Sequence, residues 1–332
     1  MEIIVMKFRK VLPHLARRLM ALSLLLSLSS WVQADERILV AMDKGAAFTE
    51  VYKGIKDDLD GEIPLSQWII DKKAKPAQFG QQISKYKPSL IVLIGNQATT
   101  LYAKYQAGAK KSEYPPSLII AALFADKLVK KVKNSTAIRY EIPAVTSMRN
   151  ARLVFNRRFK TIGVIYRKWM NDIVDNNERF LKTEGFRLER VVLGSKNKDV
   201  AGAVKSGIDQ LAKKGVDAIW IVTDNKLLNG KILQKAWIPG LAKHKMITVV
   251  NVEQLAQSKL QFGNFAVYPD LYGLGIQGAN AIFEIQEEDW SVEDRDIEEP
   301  LSVKKTLNKS MTKKRGLSVR KKGLNTLDKV IE

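Results

Sequence analysis

Short apolar runs alternate with amphipathic segments along most of this chain, and that alternation constrains its fold more than any other feature. The runs are rich in Val, Ile and Leu, which is typical of strands buried on both faces of a parallel sheet. The segments between them place apolar residues at helical spacing, as in Phe48, Val51, Ile55 and Leu59. We therefore predict an α/β fold of parallel sheets flanked by helices. The predicted strands span residues 38–42, 68–70, 90–94 and 118–123, and then 161–166, 188–193, 217–222 and 246–250.

The alternation stops near residue 134 and begins again after residue 160, so we predict two similar domains joined by a crossover. The N-terminal lobe is expected at residues 35–140 and the C-terminal lobe at 145–258, with a hinge and an interdomain cleft. A final strand at 262–268 and a helix at 270–286 are expected to return to the N-terminal lobe. Residues 287–332 are predicted to form a charged extension, with apolar side chains that pack on the body: Leu317, Leu324, Leu327 and Ile331.

The first 34 residues have the order of a secretory signal peptide. Five basic residues between Lys7 and Arg18 precede an apolar run at 19–28, and small side chains follow up to Ala34. The run is shorter than the roughly 20 residues that cross a bilayer, so we expect cleavage near Ala34 and not retention as an anchor. Asp35 stands where a lipid-accepting cysteine would be, and Met6 is an alternative start. The expected localisation is the periplasm.

The net charge of +20 is unevenly distributed along the chain. Residues 284–299 hold nine acidic side chains against Arg295 alone, whereas residues 301–332 hold ten Lys and Arg against two acidic residues. These two segments are expected to neutralise each other. The basic body favours acidic partners such as anionic membrane surfaces. No nucleic acid is expected as a partner, because no nucleic-acid motif is present and the signal peptide leads away from that compartment.

Several kinds of chemistry find no support in the residues present. The chain has no cysteine, which rules out disulfides, thiolate metal sites and a cysteine nucleophile. The only histidine after the leader is His244, between two lysines, so no metal site or His-based catalysis is expected. Residues 273–278 match GxGxxG but lie late in the chain, where helix–sheet packing by small residues is the expected role, and not dinucleotide binding. We expect no cofactor and no catalytic residues, and therefore no enzyme.

Three passages match a recurring sequence pattern: KPSLIVLIGNQA at 87–98, FKTIGVIY at 159–166 and VDAIWIVTDN at 216–225. In these passages the chain resembles the solute-binding proteins of ABC transporters, in particular the family with tryptophan- and tyrosine-binding members. The resemblance covers most of residues 37–283 and implies the type I periplasmic binding protein fold. Asn96 replaces the usual Thr of this family, and residues 121–126 replace its Thr-Asp-Pro-like turn. Both changes lie where ligand is expected, so the solute can differ from that of the better-known members.

Ligands of open parallel sheets bind at the carboxyl ends of the strands, and this rule selects the candidate residues. A helix N-terminus after Gly95, which Asn96 is expected to cap, suits an anion. The carboxylates of Asp224 and Glu253 suit a cation, and aromatic side chains suit an apolar body. The candidate ligand-binding residues are Asp43, Gly95, Asn96, Gln97, Phe124, Tyr166, Trp169, Thr223, Asp224, Asn225, Asn251 and Glu253.

Structural roles are the alternative for these residues. Asp224 can cap the helix after its strand, and Gly95 with Asn96 can form an ordinary strand-to-helix turn. Tyr166 and Trp169 can serve packing, and Phe124 can belong to the core. Ligand contact through Asp224 predicts that Asp224→Ala abolishes binding while the fold stays intact.

The resemblance implies a periplasmic solute-binding protein that captures a small molecule in its cleft and delivers it to the membrane permease of an ABC transporter. An amino acid or a related solute is the expected ligand class. The alternative is a sensing or interaction protein of the same fold, which would signal to a membrane-bound receptor. In either case the chain is expected to be a monomer with a small-molecule ligand.

Overall fold

The computed structural model describes residues 36–109, 114–157, 159–194 and 198–332, and the predicted signal peptide lies outside the described residues. The described chain forms two lobes, and the first contains an all-parallel sheet. The strands of this N-terminal lobe are β1 (Ile38–Asp43), β2 (Leu65–Ile70), β3 (Leu90–Ile94), β4 (Ser117–Ile120) and β5 (Ser135–Ala137), in the order β2-β1-β3-β4-β5. Its helices include α1 (Ala46–Leu59), α2 (Ala77–Tyr86), α3 (Asn96–Gly108) and α4 (Ala125–Val129).

The C-terminal lobe contains a larger, mixed sheet. Its strands are β6 (Thr161–Arg167), β7 (Arg187–Leu193), β8 (Ala218–Trp220), β9 (Ile247–Val250), β10 (Phe265–Pro269), β11 (Val303–Asn308) and β12 (Lys329–Ile331). Their order is β12-β11-β10-β9-β8-β6-β7, and all neighbours are parallel except β10 and β11. The helices of this part are α5 (Ala144–Val154), α6 (Asn171–Thr183), α7 (Val200–Lys213), α8 (Gly230–Ile232) and α9 (Ile238–Lys243), with a π-helical segment at Leu233–Trp237 and 3-10 turns at Lys168–Met170, Glu253–Ala256 and Ser258–Leu260.

The chain passes between the lobes three times. It crosses at residues 139–143 after β5, returns at Asp270 into α10 (Leu271–Glu287), and crosses again at residues 299–302 into β11. Helix α10 packs against α1 and β4 of the N-terminal lobe, where a helix was predicted to return. The strand predicted at 262–268 does not return with it, because β10 pairs with β9 of the second sheet. That assignment was wrong, since an apolar strand does not indicate which of two similar sheets it joins.

The C-terminal segment predicted as an extension belongs largely to the second lobe. Strands β11 and β12 extend its sheet, and α11 (Lys309–Lys314) and α12 (Lys321–Leu324) lie between them. Three of the four apolar side chains named above pack against the core of this lobe, and Ile331 lies in β12. Among the described residues no salt bridge joins 284–299 to 301–332. Instead Arg295 pairs with Glu284 and Glu288 inside the acidic segment, so the expected direct neutralisation of the two segments is absent.

Both faces of each sheet are covered by apolar clusters, which explains why central strands such as β1 and β3 are continuously hydrophobic. In β1 the side chains of Ile38 and Val40 enter one cluster and those of Leu39 and Ala41 enter the cluster on the opposite face. This alternation follows from the two-residue period of a strand. No helix in the described ranges combines the length and the apolar composition that crossing a bilayer requires.

The glycines at 273–278 lie inside α10 and mediate close packing, against a helix at Gly275 and, as predicted, against the sheet at Gly278. A Cβ atom at Gly275 would lie 2.2 Å from the carbonyl oxygen of Val51, and one at Gly54 would lie 2.3 Å from the carbonyl oxygen of Tyr272. A Cβ atom at Gly278 would lie 2.9 Å from Ile120 of the sheet. Helices α1 and α10 therefore meet backbone to backbone, which only glycine permits.

Candidate functional site

A cavity of about 370 Å³ lies between the two lobes, next to the crossovers. The N-terminal lobe contributes the loop after β4 and helix α4, with Phe124, Asp126, Lys127 and Lys130. The crossovers contribute Arg139, Glu141, Ile142, Pro143 and Glu299. The C-terminal lobe contributes α6 and the ends of β8 and β9, with Met170, Asp172, Ile173, Asn176, Asn177, Arg179, Phe180, Trp220, Val222, Thr223 and Asn251. A cavity of this volume, lined by both apolar and charged or polar side chains, suits a small molecule.

The loop after β4 places Phe124 in the cavity wall. Ala121 and Phe124 have φ values of 53° and 63°, in the left-handed region that non-glycine residues seldom occupy. The side chain of Asn96 holds this loop, because its Oδ1 accepts a hydrogen bond from the Leu123 amide and its Nδ2 donates to the Leu123 carbonyl, at 2.8 and 2.9 Å. The Phe124 ring packs against the core of the C-terminal lobe, so the loop bridges the two lobes.

Glu141 presents a half-buried carboxylate on the first crossover. Its Oε1 accepts a hydrogen bond from the Phe124 amide at 2.6 Å. Burial raises the pKa of Glu141 to about 7, although the hydrogen bond from Phe124 acts in the opposite direction. No salt bridge to Glu141 occurs within the part of the chain that the structure describes, so this carboxylate lacks a direct counter-ion.

Arg139 forms an ion-pair cluster beside Glu141. Its guanidinium donates to Asp126 at 2.6 and 3.0 Å, to Glu299 at 2.9 Å and to the Ile297 carbonyl at 3.1 Å. The hydrogen bonds to Arg139 lower the pKa of Asp126, whereas burial raises the pKa of Glu299. The cluster links α4 to the first and third crossovers. Because Arg139 is already paired with two carboxylates, its charge is neutralised within the cluster.

Asn251 holds the apolar part of the cavity wall in place through its hydrogen bonds. The Asn251 amide donates to the Ile142 carbonyl and to Ser147 Oγ, both at 3.1 Å, and its Oδ1 accepts a hydrogen bond from Trp220 Nε1 at 3.3 Å. Asn251 thus orients the Trp220 indole and fixes the crossover to the end of β9. The polar atoms of the Asn251 side chain are hydrogen-bonded within the protein. Asn251 therefore contributes more to the shape of the cavity wall than to hydrogen bonding with a ligand.

Trp169 makes a direct contact between the lobes at the edge of the cleft. Lys127 Nζ lies 3.9 Å from the centre of the Trp169 ring and donates to the Trp169 carbonyl at 3.3 Å. Phe124 meets the same indole edge to face, with ring centres 5.2 Å apart. Lys127 and Phe124 belong to the N-terminal lobe and Trp169 to the C-terminal lobe, so these contacts join the two lobes at the edge of the cleft.

Three of the twelve candidate residues line the cavity: Phe124, Thr223 and Asn251. Trp169 stands beside it through its contact with Phe124, whereas Tyr166 is buried in the core of the C-terminal lobe. Ligand contact by these residues stays a prediction.

The candidates at the ends of β1 and β3 form a cluster of their own, away from the cavity lining. Asp43 Oδ2 and Oδ1 accept hydrogen bonds from the Gln97 and Ala98 amides at 2.9 and 2.6 Å, so Asp43 caps α3. Burial raises the pKa of Asp43 against these two hydrogen bonds. Gly95, with φ of 97°, is required because a Cβ atom there would lie 2.5 Å from Asp43 Oδ2. The cap predicted at Asn96 is therefore wrong: Asn96 is already helical and holds the loop at Leu123.

The remaining candidates are engaged in the C-terminal lobe. Asp224 is 2% exposed and forms a two-pronged ion pair with Arg167, at 2.6 and 2.8 Å, while its Oδ1 also accepts from the Lys226 amide. Glu253 pairs with Lys329 at 2.7 Å, and Asn225 is exposed. None of the three lines the cavity, and ligand contact by them stays a prediction.

Sequence inspection missed the residues on the crossover and on α6, above all Glu141. The strand-end rule does not select them, because they follow no strand of either predicted series. One signal was present: charged side chains at Arg139 and Glu141 flank Tyr140 in a segment that also holds Pro143, at a predicted domain boundary. The described residues contain no group of three or more His, Asp and Glu that could hold a metal ion.

Two similar lobes, three crossovers and a cleft between the sheets define the class: the chain has the type I periplasmic binding protein fold. Neither a protein-family model nor a curated protein sequence matches the chain. Several solved structures match the chain. One is the ABC domain in complex with L-Trp from Streptococcus pneumonia, with a TM-score of 0.55 and 19% identity, covering 89% of this chain and 100% of the other.

Two further solved structures show the same likeness. A ligand-free, open substrate-binding protein with adhesive properties from Clostridium difficile gives a TM-score of 0.66 at 16% identity, covering 89% of this chain and 99% of its own. A conserved domain protein from Vibrio cholerae O1 biovar eltor gives 0.57 at 17% identity, with the same coverage of 89% and 99%. At these identities the likeness establishes the fold.

Proposed function

We propose that this protein is an extracytoplasmic solute-binding protein that holds a small molecule between its lobes and delivers it to an ABC transporter. The observation that carries the proposal is the cavity of about 370 Å³ lined by both lobes and by two of the three crossovers. A ligand in that position contacts both lobes at once, so its binding favours the closed arrangement over the open one. The named neighbours support this function, because two of them are described as ligand-bound or substrate-binding proteins.

An amino acid or a related solute is the ligand class that suits the cavity. Ile142, Trp220 and Val222 offer an apolar surface, while Arg179 and Glu141 offer groups of opposite charge. A zwitterion with an apolar side chain matches that combination, because each of its charged groups finds an opposite charge. The role is binding and not catalysis, with a permease as the membrane partner and the periplasm as the compartment.

Thermal unfolding and calorimetry of the purified protein with the standard amino acids and related metabolites test this function. At least one solute is expected to raise the melting temperature and to bind with a stoichiometry of about one, because a ligand that binds only the folded state stabilises it. Thr223→Trp is expected to fill the cavity and abolish that binding. Thr183→Trp, at the exposed end of α6, is the matched control and is expected to bind normally.

Two outcomes would contradict the proposal. One is the absence of any stabilising solute for the wild-type protein. The other is unchanged binding in the Thr223→Trp variant, which would place the ligand outside the cavity. Delivery to a transporter is tested separately by solute uptake in cells: deletion of this protein is expected to abolish uptake, and Thr223→Trp is expected not to restore it.

A further inference from the structure

Glu141 differs from every other carboxylate that lines the cavity. Asp126 and Glu299 share the Arg139 guanidinium, and Asp172 is exposed on α6. Glu141 is half-buried, and the Phe124 amide occupies its Oε1 at 2.6 Å. Among the described residues, two backbone amides hydrogen-bond this carboxylate, that of Phe124 and that of Glu141 itself, and no side chain does. The carboxylate therefore lacks a charged partner, which a group that enters the cavity can supply.

The charged groups around Glu141 do not supply its counter-ion. Arg139, on the same crossover, is paired with two other carboxylates, and its attraction is opposed by the repulsion from Asp126. Lys127 is directed to the Trp169 ring and carbonyl. The other charged groups of the cavity are Lys130 on α4, Asp172 and Arg179 on α6, and Glu299 on the third crossover. None of them forms a salt bridge with Glu141 among the described residues.

We propose that Glu141 receives a protonated amino group of the bound solute, so that the solute class is one with an ammonium next to an apolar body. This inference rests on the proposed function of the cavity. A carboxylate withdrawn from water in part, as Glu141 is, is stabilised most by a partner that brings both a positive charge and a hydrogen-bond donor. An ammonium provides both, and Phe124 and Trp220 would surround its apolar part. The Phe124 amide, which holds Oε1, would keep the carboxylate oriented before the ligand arrives.

Binding of this kind is linked to a proton. Because the pKa of Glu141 is raised to about 7, a large fraction of the ligand-free protein carries a neutral carboxyl at neutral pH. An ammonium favours the ionised form, so its binding expels that proton. Affinity is therefore expected to fall as the pH falls through 7, with a dissociation constant about tenfold larger at pH 6 than at pH 8.

The test compares amines with their amine-free counterparts in calorimetry at pH 6, 7 and 8. The probes are the standard L-amino acids and putrescine, together with α-keto acids that carry the side chains of leucine, phenylalanine and tryptophan. An amino-bearing probe is expected to bind and its keto acid is not. In buffers of different ionisation enthalpy, about half a proton is expected to be released per ligand at pH 7.

Two variants separate Glu141 from its neighbours. Glu141→Gln retains an oxygen for the Phe124 amide, so the fold is expected to persist, while affinity at pH 8 falls at least tenfold and the pH dependence disappears. Asp172→Asn removes the exposed carboxylate of the same cavity and is expected to keep the pH dependence. Melting temperatures of both variants confirm that they are folded.

The outcomes distinguish this inference from the function on which it rests. Solutes that bind without an amino group, or equal affinity in Glu141→Gln, overturn the role of Glu141 and leave solute binding intact. If the affinity loses its pH dependence in Asp172→Asn but keeps it in Glu141→Gln, the ammonium of the solute binds Asp172. That result also overturns the inference. Binding of no probe at any pH overturns both proposals.

Discussion

At the scale of single residues, Asp224 is held in the C-terminal lobe by a two-pronged ion pair with Arg167. The carboxylate is 2% exposed, and both of its oxygens accept hydrogen bonds from the guanidinium. The side chain of Arg167 is 21% exposed, so water screens the pair only in part. Removing one partner of such a pair costs more than the pair itself contributes, because the other charge stays buried without compensation.

Asp224→Ala is therefore expected to lower the free energy of unfolding by about 2–3 kcal/mol, since Arg167 loses its partner but remains partly hydrated. Urea denaturation measures this change. In Asp224→Ala combined with Arg167→Met the loss is expected to be smaller than the sum of the two single losses, because neither charge remains unpaired. Unchanged stability together with lost solute binding would instead place Asp224 in the ligand site.

Asp43 and Asp224 show which features of the site a sequence pattern can predict and which it cannot. The strand-end rule selected polar residues that lie at a helix start or a turn, because the chain reverses direction there. It could not tell whether a carboxylate finds its partner in the protein or in a ligand. Asp43 binds the amides of α3 and Asp224 binds Arg167, a residue in the strand β6. Such pairings join distant segments, which a local pattern does not show.

At the scale of elements, the contact of α1 with α10 fixes the N-terminal lobe to the helix that returns to it. Gly54 and Gly275 permit the two backbones to meet, and a Cβ atom at Gly275 would lie 2.2 Å from the Val51 carbonyl oxygen. Backbone atoms cannot yield as a flexible side chain can. A larger residue must therefore push the helices apart and loosen the apolar contacts of Leu274 and Ile282 with the sheet.

Gly275→Ala is expected to lower the free energy of unfolding by about 1–3 kcal/mol, although Ala is the better helix former. Thermal and urea denaturation measure the change. Gly230→Ala is the matched control, because the space around Gly230 is open and its backbone is not left-handed. That control is expected to be neutral or slightly stabilising. A stabilising effect of Gly275→Ala would show that α1 and α10 are not in backbone contact.

The order and type of most elements followed from periodicity, because nearly continuous apolar strands and amphipathic helices alternate without interruption. The exceptions have a common physical reason. Strand β10 is buried along its whole length, like β1 and β3 of the other sheet, so its sequence does not indicate which sheet it joins. In β11 the buried residues Thr306, Leu307 and Asn308 are mostly polar, and Lys304 and Lys305 precede them. The basic charge of this segment concealed a strand that pairs antiparallel with β10.

At the scale of the whole molecule, the proposed solute binding depends on how easily the lobes separate. Three short crossovers connect them, and the only aromatic contact between the lobes in the described ranges is that of Phe124 with Trp169. Lys127 adds a cation–π contact to the same indole at 3.9 Å. Trp169 is 38% exposed, so its contribution is modest. Contacts of this size shift a balance between open and closed states without locking it.

Trp169→Ala is expected to weaken the closed arrangement by about 1–2 kcal/mol, because it removes both the edge-to-face and the cation–π contact. The radius of gyration of the ligand-free protein, measured by small-angle X-ray scattering, is then expected to increase. Solute affinity is expected to fall by about 5- to 30-fold, since part of the binding energy must now close the cleft.

A variant inside one lobe provides the control for this effect. Trp68→Ala removes an indole that packs on Phe79 within the N-terminal lobe, with ring centres 4.9 Å apart. It is expected to reduce stability but to leave the radius of gyration and the solute affinity of the folded protein unchanged. An unchanged radius in Trp169→Ala would contradict the role of this contact. The closure of the cleft would then depend on the crossovers and on the solute alone, with Glu141 and its ammonium partner as the link between the lobes.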